Sequence, residues 1–199
     1  MTDGAAGPPT VLVVEDEGKL RETYELWLGA DYDVRTAADG AAALEAADGS
    51  VEVVLLDRLM PGRSGSEVLV ELRERDDVDA KYAMVTAVEP DLDIVEMGFD
   101  AYLTKPVDRE GLIETIEDLR AQAEYSDALD EYTSLVEKRE TLLSRGDEAG
   151  IRETEEFQRL QARIEDLDAE LDDTAAEGGD ETGFAATLRA IDEEQGEGS

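Results

Sequence analysis

Residues able to do chemistry stand where apolar runs of the sequence end. Glu15 and Asp16 follow the run TVLVV, and Asp57 follows VEVVLL. Thr86 ends the run YAMVT, and Lys105 follows AYLT. Such runs are typical of strands buried on both faces of a parallel sheet, and the carboxyl ends of these strands meet at one edge. The sequence therefore predicts that these five side chains share one site.

Three carboxylates at one site would repel one another and raise one another's pKa unless a cation lies among them. Mg²⁺ (or Mn²⁺) suits such a site because it binds oxygen ligands and combines one or two carboxylates with a phosphate. The ammonium of Lys105 and the hydroxyl of Thr86 would offer a positive charge and a hydrogen-bond donor to a phosphoryl oxygen. We therefore expect metal-dependent transfer of a phosphoryl group to Asp57, which acts as the nucleophile.

The segment LLDRLMPGRSG suits the presentation of Asp57 at a strand tip. The apolar strand holds the aspartate rigidly, and the Met60-Pro61-Gly62 turn then takes the backbone out of the way. Gly65 allows a tight entry into the following helix because it has no side chain. The segment therefore favours an accessible carboxylate on a rigid support.

The alternation of strand and helix patterns predicts an α/β fold for residues 10–120. Five strand patterns are separated by helix patterns, which favours right-handed crossovers and a parallel sheet with helices on both faces. The helix patterns cover residues 17–29, 40–47, 65–75, 91–98 and the chain from Asp108 onward.

The motifs VLVVEDE, LLDRLMPGRSG, VTA and YLTKP resemble, in their order and spacing, the receiver domain of two-component response regulators. The resemblance covers residues 10–120 and implies a flavodoxin-like (βα)5 fold with the parallel strand order 2-1-3-4-5. It implies that a cognate histidine kinase phosphorylates Asp57. The implied metal ligands are Glu15, Asp16, Asp57 and the backbone carbonyl of Leu59.

The resemblance also implies roles for the remaining site residues. Lys105 and Thr86 would contact the phosphoryl group, and Thr86 would move toward it on activation. Tyr102, three residues before Lys105, would be the aromatic switch that swings inward with Thr86. The family often has an aromatic residue after Lys-Pro, where this chain has Val107. That departure bears on local packing and leaves the chemistry unchanged.

Residues 121–172 have the pattern of two amphipathic helices. The first carries an apolar stripe at 4-3-4-7 spacing: Tyr125, Leu129, Tyr132, Val136 and Leu143. Arg139 occupies the position in the last, seven-residue interval where a further apolar residue would be expected. After the break SRGDEAG, the second carries a stripe at 3-4-3-4 spacing, typical of an a/d seam: Phe157, Leu160, Ile164, Leu167 and Leu171. The two predict an antiparallel hairpin or coiled coil. Pairing within one chain or between two stays open, as does a bend near residues 122–127.

The hairpin resembles the HalX domain, which follows receivers in haloarchaeal regulators. A two-helix hairpin buries its stripes poorly by itself, so residues 121–172 are expected to form a homodimer or to bind the receiver or another regulatory protein. A plain coiled-coil dimeriser and a specific partner-binding module both stay open. Direct DNA binding is not expected, because the segment is acidic and shows no helix-turn-helix pattern.

The two ends of the chain have compositions unlike those of a packed core. Residues 1–9 predict a flexible arm, and residues 173–199, rich in Gly, Asp and Glu, predict a disordered tail. Phe184, Leu188 and Ile191 lie at i, i+4 and i+7 within that tail. This spacing fits either a short helix that docks on a partner or a chance arrangement.

The charge of the chain is strongly negative along its whole length. Fifty-three acidic residues and 18 basic residues, of which only four are lysine, give a formal net charge of −35. Residues 1–120 carry −18 and residues 121–199 carry −17. This surface disfavours nucleic acid and anionic membranes as nonspecific partners, and it resembles proteins of extreme halophiles.

Missing residue types narrow the chemistry and the location. The absence of cysteine and histidine excludes disulfides, Cys-ligated metals, His-dependent acid–base catalysis and a histidine phosphoacceptor. No apolar run approaches the ~18 residues of a membrane span, and MTDGAAGPPT lacks the basic and apolar regions of a signal peptide. We therefore expect a cytoplasmic protein.

The leading hypothesis is a phosphorelay response regulator, a receiver switch joined to a helical interaction module, with a role in transcriptional regulation. Its chemistry would be limited to its own phosphorylation and dephosphorylation, so it would not be an enzyme. A scaffold that binds partners without phosphorylation is the alternative, against which the intact Asp57, Thr86 and Lys105 argue. A phosphatase of related topology needs a second acid just after its nucleophile, where this chain has Leu59.

Overall fold

A computed structural model of the chain describes residues 7–87, 98–144 and 148–177. The chain divides between Ala123 and Glu124 into two compact units. The strands are β1 (Thr10–Val14), β2 (Asp33–Ala37), β3 (Val51–Leu56), β4 (Lys81–Thr86) and β5 (Ala101–Thr104). The described helices are α1 (Gly18–Leu28), α2 (Gly40–Ala46), α3 (Gly65–Arg73), α4 (Arg109–Leu143), α5 (Glu148–Arg152) and α6 (Glu155–Glu177).

The five strands form one parallel sheet in the order β2-β1-β3-β4-β5. This confirms the strand order implied by the receiver resemblance. All residues of β1 are buried, which explains why its sequence is a continuous apolar run rather than an alternating one. The predicted helix over residues 91–98 lies largely outside the described residues.

Alternate residues of β1 serve two separate apolar cores, because neighbouring side chains of a strand point to opposite faces. Leu12 and Val14 belong to the core that includes α2 and α3 side chains such as Leu72. Val11 and Val13 belong to the opposite core, which is completed by α1 and α4. The α1 and α4 side chains buried there are Tyr24, Leu28, Leu112, Ile116 and Leu119.

The start of α3 is held by a capping box. The Ser64 hydroxyl accepts a hydrogen bond from the Glu67 backbone N–H at 3.3 Å, and the Glu67 carboxylate accepts one from the Ser64 backbone N–H at 2.9 Å. Both bonds satisfy backbone donors that the first turn of a helix leaves without partners. The cap therefore fixes where the chain re-enters helical structure after Asp57.

The second unit contains a hairpin formed within one chain. Arg163 of α6 pairs with Glu131 of α4 at 2.6 Å. Nearer the loop, Arg139 of α4 and Phe157 of α6 line the same open cavity of about 620 Å³. Residue numbers thus rise along one helix as they fall along the other, so the two helices run antiparallel. The structure therefore places the predicted pairing inside a single chain.

The inner face of α6 matches the predicted stripe. Phe157, Ile164 and Leu167 are buried, and Leu160 and Leu171 are half-buried. This regularity follows from the 3-4-3-4 spacing, which keeps the side chains on one side of a helix.

The inner face of α4 differs from the prediction at one step. Leu129 is 37% exposed, so it does not lie on the face of α4 that is covered within this chain. Ala128 is half-buried instead, and the half-buried Tyr132, Leu135 and Arg139 continue its face. Spacing alone does not decide between the two residues, because both Ala128 and Leu129 lie at helical intervals from Tyr132.

The extents of three helices add to or differ from the sequence-based expectation. The helix after Asp108 is continuous in its hydrogen-bonded turns from Arg109 to Leu143. The short helix α5 was not predicted. Helix α6 reaches Glu177, so residues 173–177 are helical rather than part of a tail. Phe184, Leu188 and Ile191 lie outside the described residues.

No helix in the described ranges combines the length and the apolar character that crossing a membrane requires.

Candidate functional site

The carboxyl edge of the sheet brings the three predicted carboxylates together. Glu15 directly follows β1 and Asp57 directly follows β3, the neighbour of β1 in the sheet. One oxygen from each of Glu15, Asp16 and Asp57 lies within 4.8 Å of the others. Glu15 is only 2% exposed and Asp57 6%, whereas Asp16 is exposed. The site therefore has a buried floor and an open side.

Lys105 lies between the two buried carboxylates. Its Nζ is 2.6 Å from Oε2 of Glu15 and 2.7 Å from Oδ2 of Asp57. The parallel pairing of β4 with β5 delivers it there, because the Lys105 backbone N–H donates to the carbonyl of Thr86 at 2.8 Å. Thr86 itself is fully buried at the end of β4. The structure thus places an ammonium and a hydroxyl-bearing residue at the neighbouring strand ends.

The backbone around Asp57 is held from both sides. Its N–H donates to the carbonyl of Val14 at 2.9 Å, and its Oδ1 accepts the backbone N–H of Leu59 at 3.0 Å. The Gly65 N–H donates to the carbonyl of Arg58 at 3.0 Å, which closes the turn. The Leu59 side chain points away from the core, with 59% of it exposed. Its backbone carbonyl remains a predicted metal ligand.

Burial and charge shift the pKa values of the paired groups. Burial raises the pKa of the Glu15 carboxyl, and the like charge of Asp57 acts in the same direction, while Lys105 opposes both. For Lys105, burial lowers the pKa of the ammonium, but the hydrogen bonds and charges of Asp57 and Glu15 outweigh it and raise the pKa above its ordinary value. Lys105 therefore stays protonated between the two acids.

The donor set fits Mg²⁺ or Mn²⁺. Both are cations that favour oxygen ligands, and the three converging carboxylates offer charged oxygens, one of them on the solvent side. Glu15, Asp16 and Asp57 would hold such an ion. When bound, the ion would neutralise negative charge on a phosphoryl group.

The predicted aromatic switch lies beside the site on β5. Tyr102 is half-buried, pairs in register with Met84 of β4, and has its ring centroid 5.4 Å from that of Phe99. The concerted movement of Tyr102 and Thr86 stays a prediction. The segment that leads from β4 toward Gly98 lies mostly outside the described residues.

One residue close to the acids was missed by the sequence reading. The Nη1 of Arg21 donates to the backbone carbonyl of Glu15 at 2.6 Å. The sequence signal for it is a basic residue five positions after Asp16, which many helices contain.

Comparison with known families agrees with this fold and site. The family of response regulator receiver domains matches residues 11–117, and the HalX domain family matches residues 121–188. The parallel sheet with this strand order and the acidic cluster at its carboxyl edge agree with a receiver domain, the family whose model matches. The chain belongs to the response regulators of two-component systems, with a receiver domain followed by a HalX domain.

Individual relatives support the same assignment. A candidate transcriptional regulator of Haloferax volcanii is 45% identical over 166 residues, which are 83% of this chain and 28% of that protein. The sensory transduction protein RegX3 of Mycobacterium tuberculosis is 38% identical over 112 residues, 54% of this chain and 48% of the relative. The chain thus spans less than half the length of both relatives.

Solved structures match the receiver part of the chain. The chemotaxis protein CheY4 of Vibrio cholerae matches with a TM-score of 0.52 at 28% identity. The match covers 56% of this chain and 98% of the CheY4 chain. A receiver domain protein of Methanospirillum hungatei has a TM-score of 0.52 at 27% identity and covers 59% of this chain and 98% of its own. Both matches cover little more than half of this chain, and they support the fold of the receiver.

Proposed function

We propose that the chain is a phosphorylation switch in which Asp57 accepts a phosphoryl group from a cognate histidine kinase. The observation that carries the proposal is the geometry around Asp57: a buried carboxylate fixed by the Leu59 N–H, paired with Lys105 and adjacent to Glu15 and Asp16. An oxygen of Asp57 forms the new bond to phosphorus, and the bond from phosphorus to the donor nitrogen breaks with its electron pair on the histidine.

The surrounding residues have distinct parts in this proposal. Glu15, Asp16 and Asp57, with the backbone carbonyl of Leu59, hold Mg²⁺ or Mn²⁺. Lys105 leaves its carboxylate partners for a phosphoryl oxygen, which offers it a stronger charge. Thr86 donates to a second phosphoryl oxygen and draws Tyr102 inward. These shifts bias the receiver between two states rather than create a new fold.

Residues 121–172 carry the output in this proposal, through a homodimer or another regulatory protein. The Haloferax relative's description supports a role in transcription. The acidic sequence of residues 121–199, at −17, supports an indirect route to DNA. In this proposal the protein acts in the cytoplasm and is not an enzyme toward other substrates. A phosphatase of related topology would need a second acid or base just after Asp57, and the side chain of Leu59 offers none.

Intact mass spectrometry tests the phosphorylation step. The full chain in molar KCl with Mg²⁺ and acetyl phosphate should gain one phosphoryl group, and Asp57→Asn should gain none. Asp168→Asn, the same change on the exposed side of α6, serves as the control and should behave like the wild type.

Light scattering on the same samples tests the output. A change in association state on phosphorylation would identify residues 121–172 as a regulated dimeriser. An unchanged mass in solution would indicate another protein as the partner. Absence of an adduct on the wild type would refute the switch and favour a scaffold that works without phosphorylation.

A further inference from the structure

The acid pair is tied to the first turn of α1 by Arg21. Its guanidinium donates to the backbone carbonyl of Glu15 at 2.6 Å, and its backbone N–H donates to the carbonyl of Glu17 at 3.0 Å. The Glu17 N–H in turn donates to Oε1 of Glu15 at 3.3 Å. A side chain on Gly18 would lie 3.7 Å from Nη2 of Arg21, so the guanidinium passes directly over this small residue.

The carbonyl that Arg21 holds belongs to the peptide unit joining Glu15 to Asp16. A peptide unit is planar, so fixing its oxygen also fixes the direction in which the chain continues to Asp16. Glu15 is separately anchored, because its N–H donates to the carbonyl of Ala37 in the next strand at 3.1 Å. The exposed Asp16 lies beyond the end of β1, so the direction of this peptide plane contributes to its position relative to Asp57.

A cation beside three carboxylates has a second, opposing effect. The positive charge of Arg21 repels a divalent ion, so a purely electrostatic role would make the ion bind more tightly once the arginine is removed. A role in holding the peptide plane has the opposite sign, because a displaced Asp16 is a lost ligand. The two roles are therefore separated by the direction of a single affinity change.

We propose that Arg21 is a positioning residue for the divalent-ion site, which it serves by holding the Glu15–Asp16 peptide. This inference rests on the proposed function, in which Glu15, Asp16 and Asp57 bind the ion. Arg21 touches neither the ion nor the phosphoryl group. It sets where Asp16 stands, as partners behind the direct ligands do in other metal sites.

Titration of the full chain with Mn²⁺, followed by the electron paramagnetic resonance signal of the free ion, tests the proposal. Molar KCl shortens the Debye length to about 3 Å, so distant charge effects are suppressed and changes in ligand geometry dominate. Arg21→Gln should raise the Kd about tenfold, the lower end of what lost supporting contacts cost. Arg21→Lys keeps the charge but loses the rigid planar guanidinium, and its Kd should lie between those of Arg21→Gln and the wild type.

Arg159→Gln is the matched control. It removes one arginine from an exposed ion pair with Glu155 on α6, and its Kd should stay within about twofold of the wild type in this salt. Far-UV circular dichroism and the emission of Trp27, on α1, check that each variant is folded during the titration. A merely structural arginine would lower the melting temperature and leave the Kd of the folded protein unchanged.

The outcomes separate the two proposals. An Arg21→Gln protein that binds Mn²⁺ as tightly as the wild type, or more tightly, overturns the positioning role. If Arg21→Gln does not fold, Arg21→Lys decides in its place, and a Kd equal to that of the wild type overturns the positioning role. A wild type that fails to bind Mn²⁺ at all refutes the proposed ion site itself.

Discussion

Replacing Gly65 by alanine should damage both the stability of the receiver and the position of Asp57. A Cβ at Gly65 would lie 2.2 Å from the carbonyl oxygen of Asp57 and 3.1 Å from Cα of Arg58. Ordinary contacts begin near 3.4 Å, so the Asp57 backbone would have to retreat by more than about 1 Å in a closely packed region. The hydrogen bond from Asp57 N–H to Val14 opposes that movement.

The expected cost is the difference between two effects. Overpacking a rigid site costs typically 1–3 kcal/mol, whereas Gly→Ala at an unstrained position stabilises by ~0.4–1 kcal/mol through the unfolded chain. The free energy of unfolding of Gly65→Ala should therefore fall by about 2 kcal/mol, since the distance from the new Cβ to the Asp57 oxygen is far below the usual limit. Gly18→Ala is the matched control. Gly18 also begins a helix, and its Cβ would meet its nearest neighbour at 3.7 Å, so that variant should be as stable as the wild type or slightly more so.

Urea unfolding monitored by tryptophan emission measures the difference. Trp27 is the only tryptophan of the chain and lies on α1, so its signal reports on the receiver. Gly65→Ala should also take up less phosphoryl group from acetyl phosphate than Gly18→Ala, because Asp57 is displaced. Free energies of unfolding that agree within about 0.5 kcal/mol between the two variants would refute the close approach on which the expectation depends.

Two further predictions concern stability. Burial and the hydrogen bond that its hydroxyl donates to Glu117 raise the pKa of Tyr32 well above its ordinary value. The folded state thus keeps the phenol proton longer than the unfolded chain, and the free energy of unfolding should fall as pH rises above about 10. The free energy of unfolding of Tyr32→Phe, measured by urea titration at several pH values, should fall less steeply over that range. Equal dependence on pH in the two proteins would contradict the assignment. Leu167→Ala, at a side chain only 1% exposed, should cost about 2–5 kcal/mol, measured by circular dichroism. Leu129→Ala, at 37% exposure on α4, should cost less than half as much, and a similar cost would show that Leu129 is buried rather than exposed.

Much of the receiver could be predicted because its central strands β1, β3 and β4 are almost entirely buried. A run such as VEVVLL has few alternatives to a central strand, and the polar residue that ends it marks the carboxyl edge. The same reasoning predicts that Asp57 and Lys105 lie at one site. The 3-4-3-4 stripe of α6 was equally reliable, since its spacing closely follows the helical period.

The predictions were weaker where several residues compete for one position. Leu129 and Ala128 are neighbours, and the sequence favoured the larger apolar residue for the inner face of α4. The structure turns Ala128 inward instead, because the helix follows the face defined by Tyr132, Leu135 and Arg139. Hydrophobicity alone does not reveal that choice, which depends on the helix opposite.

The sequence by itself determined the order of the elements, the parallel sheet and the identities of the acids at its edge. Those features follow from local periodicity and from residue types at strand ends, both of which are written along the chain. Only the tertiary structure decided that Lys105 contacts Glu15 and Asp57 together, and that Arg21 holds the peptide between the acids. Such contacts depend on distances of a few ångströms between segments far apart in sequence or across a turn, and packing sets those distances while residue order does not.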